Sequence, residues 1–236
     1  MSTIVFLPGL LCDDELWTEA SSQLAQLLGP CRIEILSLGN GATIPDMADA
    51  IASRFAEQAV VVGHSLGALV ALELALRYPD RVAALGLVCM GIRSVGAGEA
   101  EARRQVVREA LGSGIGAIAG QWGDVVLGRD AEPGTRARAL AMAGRIPAEL
   151  YAAQIEAFLS RMPIEERLRA IEVPAVLVNG GRDALAPPQD GQWAADRIAR
   201  STMTSVPCAA HLLPLEQPGA LARLLASFIQ AHSDYA

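Results

Sequence analysis

Short runs of consecutive apolar residues alternate along this chain with longer stretches whose apolar positions recur every three or four residues. Residues 3–7, 59–62, 82–90 and 173–179 form the near-continuous runs, 33–38 is one interrupted by Glu34 and Ser37, and 202–206 forms a weaker one. Runs of that length, rich in Val, Ile and Leu, suit strands buried on both faces, as in a parallel sheet. Between them, Asp13-Asp14 precede Leu16, Trp17, Ala20, Leu24 and Leu27, the capped apolar face of a helix. Ile44, Met47, Ile51 and Phe55 mark a second helix. Residues 68–78 are apolar nearly all round, which predicts a buried helix. Residues 187–200 read as another, and Leu221, Leu224, Leu225, Phe228 and Ile229 define a terminal one. Six strands alternating with helices predict an α/β fold: a mostly parallel sheet with helices on both faces.

The alternation breaks after residue 91. From 92 to 164 no strand pattern occurs, and short helical stretches (99–111 and 151–162) sit among glycine-rich pieces at 96–98 and 112–123. The expectation is a core of residues 1–91 and 165–236 with a helical cap, 92–164, inserted over its active site. The glycines of 112–123 would give that cap hinges.

Composition narrows the class. The chain has 236 residues, 52% hydrophobic and 19% charged, enough to bury one large core. Its net charge is −7, every basic side chain is Arg, and no basic block stands out, which argues against nucleic acid as a partner. Four scattered cysteines (12, 31, 89, 208) form no CxxC, so neither a metal nor a disulfide framework is read. The apolar N-terminus lacks a basic n-region, and no run reaches 18 apolar residues. Reduced thiols, no leader and no span predict a cytoplasmic protein that acts on a small molecule without metal or cofactor. The oligomeric state is left open.

The chemistry concentrates where the 59–62 run meets Gly63-His64-Ser65-Leu66-Gly67 and the helical run begins at once. Strand, sharp turn and helix make a nucleophile elbow, with Ser65 strained, exposed above the sheet and at a helix N-terminus. A serine needs a base, and only three histidines are available. His64 is adjacent on the strand and points to the opposite face. His232 lies in the terminal tail. His211, in the loop after the sixth strand, remains. Asp183, just past the fifth strand, is the carboxylate best placed to orient it, ahead of Asp190, Asp196 and Glu216. Oxyanion donors would be the main-chain N–H of Leu66 and, from the turn after the first strand, that of Leu10.

Together these motifs resemble the α/β-hydrolases. The likeness is carried by the Pro8-Gly9 turn followed by Trp17, the elbow, Gly180-Gly181-Arg182-Asp183, and Ala210-His211 leading into Pro214, Glu216 and Pro218. The order Ser65, Asp183, His211 is the one this fold uses. Pro8-Gly9 stands where many relatives carry His-Gly, and the resemblance implies six strands, with the first two of larger relatives absent. Serine at the elbow implies an acyl-enzyme route and hydrolysis of a small carboxylic ester or thioester. Two alternatives use the same triad: cleavage or lysis of a carbon–carbon bond, and a low-turnover small-molecule receptor. Trp17, Met90, Trp122, Met142 and Phe158 (and Met162) could line an acyl pocket, although for any single one core or cap packing is the stronger reading. Arg103, Arg104 or Arg145 facing the site would favour a carboxylated substrate.

Overall fold

The computed structural model describes residues 3–55 and 57–232. Six strands carry the frame: β1 Thr3–Leu7, β2 Arg32–Ile35, β3 Ala59–His64, β4 Val82–Val88, β5 Ala175–Gly180 and β6 Ser201–Val206. They form one all-parallel sheet in the order β2-β1-β3-β4-β5-β6. Helices α1 Glu15–Leu28, α2 Ile44–Ala52, α3 Leu66–Arg77, α9 Pro188–Ala195, α10 Leu213–Glu216 and α11 Pro218–Ala231 accompany them. Between β4 and β5 come α4 Glu99–Ser113, α5 Ile115–Val126, α6 Pro133–Gly144, α7 Ala148–Leu159 and α8 Glu165–Arg169.

Alternate strand residues feed two separate cores, as the pleat requires. Ile4, Phe6, Val60, Val62 and Val88 face Trp17, Leu24 and Leu225 from α1 and α11. Val5, Leu7, Val61, Leu85 and Leu87 face Met47, Leu69, Leu72 and Ala194 from α2, α3 and α9. A third, smaller core belongs to the insertion, where Val107, Ala110, Ile115, Ile118, Tyr151 and Ile155 pack around Leu11. Chain order reverses at β1, which lies between β2 and β3, so a crevice opens beyond the carboxyl ends of these strands.

Several edges differ from the sequence reading, each for a local reason. The second strand stops at Ile35, because Leu36 makes its last main-chain bond to the Phe6 carbonyl and the chain then leaves the sheet. The fourth stops at Val88, because Cys89 adopts φ 49°, which a strand does not accommodate. The fifth begins only at Ala175, after Pro174, which has no N–H to give. The glycine-rich stretch is mostly helix: Gly116, Gly120 and Gly123 lie inside α5, and only Gly114, with φ 80°, breaks the chain. The expected hinge therefore reduces to one residue.

Two glycines of the elbow are required for space. A Cβ on Gly63 would lie 2.2 Å from the Gly67 carbonyl oxygen, and one on Gly67 would lie 2.3 Å from that of Leu7. At Gly120 a Cβ meets nothing within 4 Å. Gly67→Ala should therefore cost at least about 3 kcal/mol or prevent folding. Gly120→Ala should raise stability by about 0.5–1 kcal/mol through the lower entropy of the unfolded chain. Urea unfolding of both variants measures the contrast.

Candidate active site

Parallel pairing keeps the strand ends level. Leu7 pairs with Gly63 and His64 with Val88, so the turns after β1, β3 and β4 share one rim. Ser65 sits at the sharpest of these turns, with φ 52° and ψ −113°. A non-glycine residue held there costs on the order of 1–3 kcal/mol. Its N–H donates to the Val88 carbonyl at 2.9 Å, and its own carbonyl accepts from Ala68 at 3.0 Å. The turn is thus pinned to β4 on one side and to α3 on the other.

His211 reaches Ser65 from the loop after β6. His211 Nε2 lies 3.0 Å from Ser65 Oγ, and His211 Nδ1 lies 2.8 Å from Asp183 Oδ2. Asp183 follows β5, and its other oxygen accepts the N–H groups of Leu185 (2.8 Å) and Ala186 (2.9 Å). Burial pushes the Asp183 carboxyl up. The hydrogen bond and charge of His211, with the two N–H groups, outweigh that and hold it below the ordinary carboxylate value. With both oxygens engaged, Asp183 has one orientation to offer the imidazole. Of the other acids weighed, Asp190 pairs with Arg93 at 3.1 Å and Asp196 accepts from Gln192. Glu216 tethers the base loop: it accepts the N–H of Ala210 (3.1 Å) and that of Gly128 from the insertion (3.2 Å). His211 N–H and Leu212 N–H both donate to the carbonyl of Val126, also from the insertion.

A cavity of about 480 Å³ opens on Ser65 and His211. Leu10 from the turn after β1 is on its wall, and Leu66 begins α3, where the first N–H groups of a helix lack intrahelical acceptors. Much of the remaining wall comes from the insertion, including Ile118, Trp122, Tyr151 and Phe158. Trp17, Met90 and Met142, read from sequence as pocket residues, are instead core. Trp17 is fully buried against Phe6, with ring centroids 4.8 Å apart. Met90 packs under α3, and Met142 packs between the insertion and the α1–α11 face. Met162 is exposed, away from this wall.

The charged wall also departs from expectation. Arg103 is present, paired with Glu99 at 2.8 Å and stacked on Phe158. Arg104 and Arg145 instead pair on the surface with Glu156 and Asp13. The residue missed was Arg161. It also lies over the Phe158 ring, 3.9 Å from the centroid, and donates to the carbonyls of Phe158 and Arg93. Among the described residues no carboxylate pairs with it. Burial holds its guanidinium below the ordinary value, Glu99 opposing and Arg103 adding to the shift. The helix predicted over 151–162 would place Phe158 and Arg161 three apart on one face; α7 ends at Leu159, so Arg161 makes its contact from the chain just past the helix.

His64 is the second residue whose surroundings were not foreseen. It is 1% exposed, and burial pushes its pKa down to about 3, the charge of His211 acting the same way. His64, Cys89 and His211 bring potential metal ligands within 4.8 Å of one another. Both nitrogens of His211 are engaged by Ser65 and Asp183, and His64 Nε2 by the His211 carbonyl.

Residues 4–224 match the model of the alpha/beta hydrolase family, and the chain belongs to that family. Two pimeloyl-[acyl-carrier protein] methyl ester esterases of Neisseria meningitidis are each 31% identical to it. For the serogroup A protein the match covers 79% of this chain and 62% of the relative, less than two thirds of that protein's length. For the serogroup C protein it covers 78% and 74%. Among solved structures, an esterase from Thermogutta terrifontis superimposes with a TM-score of 0.89 over 98% of this chain and 90% of its own, at 24% identity. Among the described residues, no helix is long and apolar enough to cross a membrane.

The low pKa of His64 has a signed consequence. Between pH 6.5, its ordinary value, and about 3, the unfolded chain binds a proton that the folded chain refuses. The stability contributed by neutral His64 is complete above 6.5 and is lost as pH falls through that window. The urea midpoint should drop between about pH 7.5 and about pH 5, and His64→Gln should remove much of the drop.

Proposed function

We propose that this chain is a serine hydrolase that cleaves a small carboxylic ester or thioester through an acyl-enzyme on Ser65. The two Neisseria relatives, each 31% identical, are by name esterases of a methyl ester. The observation that carries the reading is the continuous chain Ser65 Oγ–His211 Nε2, His211 Nδ1–Asp183 at 3.0 and 2.8 Å, ending at the cavity. In this reading His211 takes the Ser65 proton as the oxygen attacks the ester carbonyl. The main-chain N–H groups of Leu10 and Leu66 receive the oxyanion. The tetrahedral intermediate collapses, His211 protonates the leaving alcohol or thiol, and water then attacks the acyl-enzyme with His211 as base. Asp183 keeps Nδ1 protonated and stabilises the imidazolium. The insertion, residues 92–164, serves as a cap that walls the acyl group and limits water.

The cap also suggests which esters. Arg161 is a partly desolvated cation without a carboxylate partner among the described residues, on the wall of the cavity that holds Ser65. An ester that brings its own anionic group would satisfy it. A methyl ester on a carrier-bound acyl chain, the substrate in the names of the Neisseria relatives, is a second candidate; both of its carboxyls are masked, so the anion facing Arg161 would come from the carrier side, with acyl-carrier protein then a partner. Carbon–carbon cleavage of a carboxylated substrate would use the same arginine, and the ester-cleaving relatives favour the ester. A cytoplasmic setting fits Cys12, Cys31, Cys89 and Cys208, all free thiols.

Ser65→Ala should reduce hydrolysis of p-nitrophenyl butyrate at least about a thousandfold and abolish fluorophosphonate labelling. Labelling of the alanine variant at the wild-type rate would exclude the assignment. For the substrate class, kcat/KM is compared between monomethyl esters of dicarboxylic acids and neutral methyl esters of equal length. Arg161→Gln should lower that ratio about tenfold or more. An unchanged ratio would remove Arg161 from substrate selection.

A further inference from the structure

The elbow motif places a histidine beside the nucleophile, pointing away from it into the core, and nothing in the acyl-enzyme mechanism uses that ring. His64 belongs to the same set of alternate β3 side chains as Val60 and Val62 and is directed toward α1. It is an expensive core residue. Nδ1 is buried without a hydrogen-bond partner among the described residues, and a leucine would fill comparable volume with no polar atom to satisfy.

What the ring does contact is informative. Nε2 lies 2.7 Å from the main-chain carbonyl oxygen of His211. A carbonyl only accepts, so Nε2 carries the proton and Nδ1 is the bare nitrogen. The two rings are 5.0 Å apart between centroids. On its other side the imidazole abuts the turn after β1, since a Cβ on Gly9 would come 2.7 Å from Nδ1 and 3.1 Å from Ser65 Cβ. Trp17 of α1 approaches edge-on at 6.5 Å, and its Nε1 is likewise a buried side-chain atom without a hydrogen-bond partner among the described residues. The unpaired atoms of these neighbouring rings are complementary, an indole donor and an imidazole acceptor.

We propose that His64 is a positioning residue, whose Nε2–H grips the His211 carbonyl and fixes the base loop against both the elbow and the turn that carries Leu10. This rests on the reading of Ser65 and His211 as nucleophile and base. One neutral ring thus touches the three segments whose relative placement sets attack geometry: the Leu10 turn, the Ser65 elbow and the His211 loop. Neutrality is part of the device. His211 becomes an imidazolium during the reaction, and a second cation 5.0 Å away would oppose it. The low pKa of His64 keeps that ring uncharged across the neutral range.

The test compares His64→Leu with His64→Gln, whose amide N–H can still reach the His211 carbonyl. His64→Leu should lower kcat about ten- to a hundredfold with KM changed less than about threefold, and should slow fluorophosphonate labelling in parallel. His64→Gln should recover most of both losses. Wild-type kcat in the leucine variant overturns the proposal. So does equal impairment of the two variants alongside equal losses in melting temperature, the mark of a merely structural role. Should the leucine variant not fold, the tautomer of wild-type His64 decides by nitrogen-15 NMR: a proton on Nε2 supports the proposal, and one on Nδ1 overturns it. Failure of the underlying reading is separate, since wild-type protein would then resist fluorophosphonate altogether, whatever tautomer His64 adopts.

Discussion

A serine at φ 52° is not a conformation that the local chain prefers. It is imposed by the close approach of three backbones: the Gly67 carbonyl lies over Gly63, and the Leu7 carbonyl lies over Gly67. Neither position tolerates a Cβ, and the packing of β1, β3 and α3 closes around that gap. Because this contact is made of main chain, it cannot relax by rotamer change. The sheet and the buried α3 therefore act as a clamp on one strained residue, and the loops that approach it are set relative to that fixed point.

The outer parts of the site are held differently, by directional hydrogen bonds. Asp183 is locked by two N–H groups of its own loop and hands that orientation to His211. His211 is gripped at its carbonyl by His64 and at its N–H by the Val126 carbonyl. Polar groups buried at this depth are costly unless satisfied, so each satisfied bond also restricts the loop to one arrangement. The rigid centre and the hydrogen-bonded periphery together explain why residues from β1, β3, β5 and β6 meet within one cavity.

Much of this was legible in the sequence because the signals were local. Continuous apolar runs marked the strands, and Gly63 and Gly67 bracketed the elbow. With only three histidines, position alone isolated His211, and the structure brings it beside Ser65 and Asp183. Other features depend on tertiary context. Trp17 and Met142 have the chemistry of pocket residues, yet the α1–α11 face needed their volume. Gly116 and Gly120 favour loops by propensity, but the apolar positions Ile115, Ile118 and Ala119 gave α5 a core to join, and packing overrode propensity. The strand parity that excludes His64 as the base is also what directs it under the His211 loop. Arg161 lacked any distinguishing sequence feature beyond its spacing from Phe158.

The tethers between the insertion and the base loop have a kinetic meaning. Val126 accepts from both His211 and Leu212, and Gly128 is held by Glu216, which also holds Ala210. A displacement of the α5 end large enough to break these bonds also releases the loop that aligns the imidazole. In the proposed mechanism the cap is therefore a structural partner of the base as well as a wall of the pocket: any motion of the α5 end carries a cost in the alignment that proton transfer needs.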